Sequence, residues 1–257
     1  MSRTVSAALL YLVIALKPAD ADPSAFSSAY VGISIGHETL RPSGHVTSGG
    51  SPWTILAAAL PGVMPGYDLS STSAALGFLA GWIVPTERGY LGFESDINIA
   101  RNEANSGRTT GVPLLVFPGG GGYFAGTYAG SNSVATASVD WYATLRIRAG
   151  IRPSAQTLLY ATAGVATGGV SASINGYDTF LNGGYSAHER SVRIGWAFGG
   201  GGEIELSRQW SARAEYMIVD LGRSHLTATG ADRRFGPSHE FHWIKHVARA
   251  AIIYRIR

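Results

Sequence analysis

The chain contains no cysteine, and only 14% of its residues are charged. The lack of cysteine excludes a fold held together by disulfides and a structural zinc site of the thiolate kind. The charged fraction is well below the ~25% that is typical of soluble domains. The formal net charge is only +3 and no basic run occurs, so charge gives no support to nucleic-acid binding.

Long apolar runs are also scarce. Residues 5–16 form a short apolar stretch of 12 residues after the positive Arg3, and Ala19 and Ala21 are small residues spaced for signal-peptidase cleavage. We therefore expect a signal peptide over residues 1–21 and one domain over residues 22–257. An N-terminal membrane anchor is the alternative, but a spanning helix needs ~20 apolar residues. Because no other apolar run approaches that length, any membrane insertion has to use strands.

Residues 139–150 show the most informative pattern in the chain. Apolar residues from Val139 to Ala149 alternate with polar residues that include Arg146 and Arg148. Strict alternation predicts a strand with two different faces. Two arginines on one face indicate a polar interior and an apolar exterior, which is the arrangement that a barrel strand needs in a lipid bilayer.

Eight such segments recur, and the spacers between them are alternately long and short. The segments are predicted at residues 29–38, 73–84, 89–100, 136–151, 156–168, 190–206, 209–221 and 243–256. Long spacers are expected at residues 39–72, 101–135, 169–189 and 222–242, all rich in residues that favour loops. The pattern predicts an all-β fold, an eight-stranded antiparallel transmembrane β-barrel with short periplasmic turns and long extracellular loops. A soluble lipocalin-like carrier is the rival architecture, although it gives no reason for all the long loops to lie at one end.

The alternation assigns six acidic and five basic side chains to the barrel interior. These are Glu94, Asp96, Asp140, Arg146, Arg148, Arg193, Glu203, Glu205, Arg213, Glu215 and Arg249. An interior enclosed by eight strands is just wide enough for side chains to fill, and unpaired buried charges are costly. We expect a lumen filled by an ion-pair network, with a narrow porin-like channel for small solutes as the alternative. Outward aromatic residues are expected to form interfacial girdles, namely Trp82, Trp141, Trp196, Trp210 and Tyr254.

The remaining motifs do not indicate a catalytic or ligand-binding site. The glycine runs at residues 119–122 and 199–202 lack the strand–loop–helix context of a phosphate-binding loop. The seven histidines show no metal-ligand spacing, and Ser224–His225 is an adjacent pair without a nucleophile motif. We expect no catalytic, cofactor or metal residues. The apolar residues 56–60 of the first long spacer are compatible with a short helix over the mouth or with an extended loop.

Several blocks resemble the small OmpA-type, opacity-like outer-membrane barrels that are abundant in alphaproteobacteria and often labelled porin-family proteins. The resemblance covers nearly all the predicted strands and almost none of the loops. The blocks are YVGISIG at 30–36, YLGFESDINIA at 90–100, VDWYATLRIRAGI at 139–151, LLYATAGVA at 158–166, IGWAFGGGGEIEL at 194–206, WSARAEYMIVDLG at 210–222 and HVARAAIIYRIR at 246–257.

This resemblance implies a Gram-negative outer-membrane protein with a role in envelope integrity or as a surface-exposed adhesin or antigen, and without a cofactor. The implied partners are outer-membrane lipid and lipopolysaccharide, the barrel-assembly machinery and a ligand of the loops. Barrels of this family usually end in Phe, whereas Arg257 stands last here. Either assembly is less efficient, or the machinery accepts Ile256 as the anchor.

Overall fold

The computed structural model describes residues 28–49, 66–86, 89–107, 109–111, 114–115, 126–127, 131–178, 183–230 and 237–256. The expected signal peptide and the apolar residues 56–60 lie outside the described residues. No helix long and apolar enough to cross a membrane is found in the part of the chain that the structure describes.

Eight long antiparallel strands form the molecule, and each pairs with the next along the chain. The first strand also pairs with the last, from Ala29 with Ile256 upward, so the ring is closed. The predicted eight-stranded barrel is therefore confirmed. The strands are β1 (Ser28–Gly49), β2 (Ser71–Pro85), β3 (Tyr90–Asn105), β4 (Ser131–Ser154), β5 (Thr157–Asp178), β6 (Gly183–Glu205), β7 (Trp210–Thr227) and β8 (Pro237–Ile256).

Tight turns connect the strands at one end, which we call the lower end. Between β2 and β3 the Thr86 amide donates to the Gly89 carbonyl at 2.9 Å. Only Ala155 and Gln156 separate β4 from β5. Between β6 and β7 the Leu206 amide donates to the Trp210 carbonyl at 2.8 Å. The three short turns lie where the sequence predicts them.

At the upper end the strands run much further than the sequence predicts. Residues 169–189 are expected as a loop, yet β5 continues to Asp178 and β6 begins at Gly183. The loop prediction rests on a composition of glycine, serine and threonine. The alternation nonetheless continues through residues 169–178, where Val170, Ala172 and Ile174 point inward and are buried. Small polar residues on the other face suit a strand that stands in water above the bilayer.

The outer face of the lower barrel is apolar. Bulky outward side chains such as Ile147 and Phe93 are 68% and 57% exposed. In water such a surface would be unfavourable, whereas in a bilayer it faces lipid. The five aromatic residues that the sequence assigns to interfacial girdles all lie at positions of this outward register, Trp82, Trp141, Trp196, Trp210 and Tyr254.

The interior has three layers. The lowest is an apolar cluster that includes Ile83, Leu158 and Ile253. Charged side chains fill the middle, and a larger apolar cluster that includes Leu40, Phe241 and Trp243 fills the upper part. The sequence does not predict an apolar upper interior, because Leu40 and Phe241 fall in the spacers that were expected to be loops.

The upper wall is not a complete cylinder. The ladder between β2 and β3 stops at Leu76 with Ile99, and the ladder between β6 and β7 stops at Trp196 with Asp220. Among the described residues above these levels, β6 and the chain after β7 meet again only where Tyr185 and Ser186 pair with the short strand Thr229–Gly230. The two interruptions are four strands apart. The upper barrel therefore consists of two four-stranded sheets, β3–β4–β5–β6 and β7–β8–β1–β2.

Side-chain size explains why these two sheets lie close together. The β7–β8–β1–β2 sheet contributes large residues to the upper cluster, among them Leu226, Phe241 and Trp243. The opposite sheet contributes smaller residues, four alanines together with Val139, Val170 and Ile174. Large side chains against small ones let two sheets pack face to face, as in a β-sandwich. A hydrophobic core of this kind needs no ion pairs to fill it.

The interrupted ladder makes a specific prediction for amide hydrogen exchange. The Glu205 amide bonds to Gln156 on the β5 side, whereas the Leu206 amide bonds to Trp210 on the β7 side. Even-numbered amides of β6 therefore point toward β7. We expect Val192 and Ile194, which lie beside the interruption, to exchange much faster than Phe198, which lies in the intact ladder.

Exchange of the micelle-bound barrel followed by NMR checks this expectation. The odd-numbered amides of the same strand are the internal control, because they pair with β5 along its whole length. Equal protection of Val192, Ile194 and Phe198 would contradict the divided upper wall.

Candidate functional site

Glu94 is the centre of the charged layer. Strand β3 points it into the lumen, where its side chain is fully buried and contacts four arginines. The Arg146 Nη2 atom is 2.6 Å from Oε1, and the Tyr30 hydroxyl donates to Oε2 at 2.7 Å. Arg213 also donates to Oε2. Because both oxygens of this carboxylate accept hydrogen bonds, Glu94 links side chains from four other strands.

Arg146 links Glu94 to two further acids. Its Nη2 atom is 2.7 Å from Asp96 Oδ2, and its Nη1 atom is 2.7 Å from Glu215 Oε1. The Nε atom donates to the Thr144 hydroxyl at 2.9 Å, which holds the guanidinium plane. Arg249 closes this part of the network, with Nη2 at 3.0 Å from Asp96 and 2.5 Å from Glu215.

Glu203 organises the lower part of the network. It accepts from the Ser211 hydroxyl at 2.7 Å and from Arg213 Nη2 at 2.9 Å. Arg255 Nη2 is 2.9 Å from Oε1, the oxygen that accepts from Ser211. Glu205 lies 3.8 Å from Arg255 Nη1. Ten side chains are thus connected, five acids and five arginines, and their formal charges cancel.

Tyrosine rings and glycines shape the space around these charges. The Arg148 guanidinium carbon lies 3.9 Å from the centre of the Tyr160 ring, and that of Arg213 lies 5.3 Å from the Tyr30 ring. Ring faces attract such cations when water is excluded. Gly164 is the residue opposite Arg146 in the register, and a Cβ there would stand 2.0 Å from the Leu145 carbonyl oxygen. Only glycine allows this close approach of two backbones.

Two of the predicted interior charges lie elsewhere. Asp140 is an extra residue at a β-bulge between Val139 and Trp141, so the inward register shifts by one residue and its side chain is left 42% exposed. It lies 3.5 Å from the exposed Arg190. The assignment of Asp140 to the lumen is therefore wrong, since a bulge cannot be read from alternation alone.

Arg193 keeps the inward register but lies outside the network. It stands beside the interruption between β6 and β7, where its side chain is 28% exposed and contacts Glu189 at 2.9 Å. Its Nη1 atom donates to the Arg223 carbonyl across the interruption at 3.1 Å. The guanidinium thus satisfies a backbone acceptor that a continuous ladder would have paired. The other nine predicted charges all occur in the connected set.

Three charged interior residues were not assigned from the sequence. Arg255 lies six residues after Arg249 on the same strand, so the same alternation places it on the same face. Glu38 and Lys245 form a separate buried pair at 2.5 Å, and the Tyr142 hydroxyl donates to Glu38 at 2.7 Å. Lys245 lies in the predicted strand 243–256 and shares the odd-numbered register of Arg249, and Glu38 is the last residue of the predicted strand 29–38. Alternation could therefore have assigned both to the interior.

The comparisons with known proteins agree with this geometry. A family model described as outer membrane protein beta-barrel domain matches residues 6–236. The chain belongs to the outer membrane protein beta-barrel family. It is also similar to a 31 kDa outer-membrane immunogenic protein of Brucella melitensis, with 31% identity over 100 residues, which is 38% of this chain and 40% of that protein. The match thus spans less than half of the relative's length.

One solved structure shares the fold of this chain, and a second is reported for comparison. The outer membrane protease OmpT of Escherichia coli superposes with a TM-score of 0.51 at 9% identity, covering 89% of this chain and 97% of that one. The outer membrane protein OprG of Pseudomonas aeruginosa covers 88% of this chain and 96% of its own, with a TM-score of 0.45 at 12% identity. Family membership and the outer-membrane relative place this β-barrel protein in the Gram-negative outer membrane.

The only serine–histidine neighbours that the sequence singled out are separated in this outer-membrane barrel. Ser224 points inward, is 1% exposed, and accepts a hydrogen bond from the Trp243 indole at 3.0 Å. His225 points outward, and its Nε2 atom lies 3.6 Å from Glu240. Adjacent residues on a strand face opposite sides of the wall, so these two side chains form no catalytic pair.

The network predicts a large loss of stability when Arg146 is replaced by Met. Glu94, Asp96 and Glu215 would each lose a partner while remaining buried, and breaking a buried ion pair from one side costs about 3–5 kcal/mol. Urea unfolding of the barrel in phospholipid vesicles measures the loss. The matched control is Arg190→Met, at a side chain 73% exposed, for which we expect a change below about 1 kcal/mol. Similar losses for the two variants would refute the central role of Arg146.

Proposed function

We propose that this outer-membrane barrel is a closed structural protein of the cell envelope that presents its upper part at the cell surface. The observation that carries the proposal is the burial of the lumen charges, since the side chains of Glu94, Arg146 and Arg148 are all 0% exposed. The upper apolar cluster lies across the same axis. A continuous water-filled path through the barrel would have to cross both the charged layer and the upper apolar cluster.

The upper sheets supply the surface for recognition. They rise above the apolar belt, and their outward side chains include charged residues such as Arg190, Arg223 and His225, which are more than 60% exposed. The Brucella melitensis relative is called immunogenic, which supports an adhesive or antigenic role for the exposed part of this chain. Specific binding would then reside in the upper strands as well as in the loops.

In this role the barrel has no enzymatic activity and interacts with three kinds of partner. Outer-membrane lipid and lipopolysaccharide would surround the apolar belt, and the barrel-assembly machinery would insert the chain. An unidentified surface ligand would bind the upper part. The protease OmpT shares only the fold at 9% identity, so it lends no catalytic role to this chain.

A narrow channel is the competing function, and planar-bilayer recording separates the two. We expect no stable single-channel steps from the native barrel, because its charges are paired across the lumen. The preparation has to show heat-modifiable migration on gels, so that an absence of conductance is recorded from folded protein. Stable, reproducible conductance steps from such a preparation would favour the narrow channel.

Surface presentation predicts which cysteines can be labelled on intact cells. The natural chain has no cysteine, so a single substitution gives a clean signal. Tyr177→Cys lies near the upper end of β5 and should react with a membrane-impermeant maleimide. The matched control Arg208→Cys lies in the short turn between β6 and β7 and should react only after permeabilisation. The reverse pattern would show that the barrel is inserted the other way round.

A further inference from the structure

Arg148 is the least completely paired arginine of the network. Its Nη1 atom donates to the Tyr30 hydroxyl at 2.8 Å and to Glu94 at 3.3 Å. Its Nε and Nη2 atoms are buried and have no hydrogen-bond acceptor among the described residues. The nearest carboxylate oxygen to Nη2 belongs to Glu203 at 3.6 Å, and two Arg213 nitrogens already donate to that oxygen. One whole edge of this guanidinium therefore lacks a hydrogen-bond acceptor among the described residues.

The chemistry of that edge identifies the ligand. Nε–H and Nη2–H of an arginine are parallel donors, and such a fork binds anions with two hydrogen bonds. Leaving buried charged donors unsatisfied costs more than a neutral hydrogen bond contributes. A cation would be repelled by the guanidinium. The unsatisfied groups therefore favour a negatively charged acceptor.

Two tyrosines next to Arg148 add further donors. The hydroxyls of Tyr90 and Tyr160 are buried and, within the described ranges, have no hydrogen-bond partner. The Arg148 guanidinium lies over the Tyr160 ring. Tyr90 is the residue opposite Gly150 in the register, and a Cβ at Gly150 would stand 2.8 Å from the Tyr90 ring and 2.9 Å from the Tyr160 Cβ. The lower lumen thus brings together unsatisfied donors of three residues.

We propose that the lower lumen binds one small monovalent inorganic anion, of the halide class, at the Nε–Nη2 edge of Arg148 beside the Tyr90 and Tyr160 hydroxyls. The site is independent of whether the barrel is an adhesin or a channel. It makes the anion part of the folded interior. The anion compensates the guanidinium that the carboxylates leave incompletely paired.

Bromide is the probe, because it replaces chloride and scatters anomalously. Crystals of the native barrel grown in sodium bromide should show an anomalous peak within hydrogen-bonding distance of Arg148 Nε and Nη2. An ordered water there, without anomalous signal, would overturn the proposal, as would the absence of any density at that edge.

A titration of stability tests the same site in solution. At constant ionic strength, with gluconate as the replaced anion, bromide should raise the unfolding midpoint of the detergent-solubilised barrel in a saturable manner. We expect about 3–6 °C when bromide is roughly ten times its dissociation constant. A linear response without saturation indicates a general salt effect and would count against a site.

Variants connect the titration to the named groups. Tyr160→Phe keeps the ring that stacks on Arg148 and removes only the hydroxyl, so bromide should bind several-fold more weakly. Arg148→Lys keeps the charge but lacks the fork, and should abolish saturation. Tyr177→Phe, at an exposed tyrosine of the upper barrel, is the matched control and should titrate like the native protein. If Arg148→Lys does not fold, Tyr160→Phe and the anomalous map decide; unchanged bromide affinity in a folded Tyr160→Phe would contradict the proposed site.

Discussion

Lipid offers no hydrogen bonds, and this single constraint governs the lower half of the molecule. Each backbone amide and carbonyl there needs a partner within the protein, so the pairing of β1 with β8 is obligatory. Closing a sheet of eight strands leaves a narrow interior that side chains have to fill. The charged side chains that fill it must in turn satisfy one another, because almost no water reaches them. Glu94 meets this requirement by contacting four arginines from three strands.

The upper half lies beyond that constraint, and its architecture changes accordingly. Water can hydrogen-bond to backbone groups at an interruption in the sheet, so the ladders between β2 and β3 and between β6 and β7 can end. The interior changes from ion pairs to an apolar core with large residues on one sheet and smaller residues on the other. One ring of strands therefore combines two kinds of interior.

The sequence predicted the lower half well and the upper half poorly, for one physical reason. Alternation of Arg146 and Arg148 with apolar neighbours is strong because lipid and lumen demand opposite polarities. Above the bilayer both faces are compatible with small residues, so residues such as Ala172 and Ser173 carry little signal and were assigned to a loop. The bulge at Asp140 shifts the register locally, and the side-chain contacts of Arg193 depend on an interruption of the ladder, neither of which alternation encodes. The partners of each charge, such as Glu215 for Arg146, depend on contacts across the lumen between residues 69 positions apart.

The interruption between β6 and β7 has a mechanical consequence. It is bounded below by Trp196 with Asp220 and above by Ser186 with Thr229, so it forms a slit in the wall. A force applied to the extracellular face would bend the barrel at this slit and at the second interruption, which lies above Leu76 and Ile99 between β2 and β3. The hydrogen bonds of the ring inside the bilayer would carry little of that load. A protein on a cell surface exposed to shear could thus deform at its outer end while its seal with the membrane stays intact.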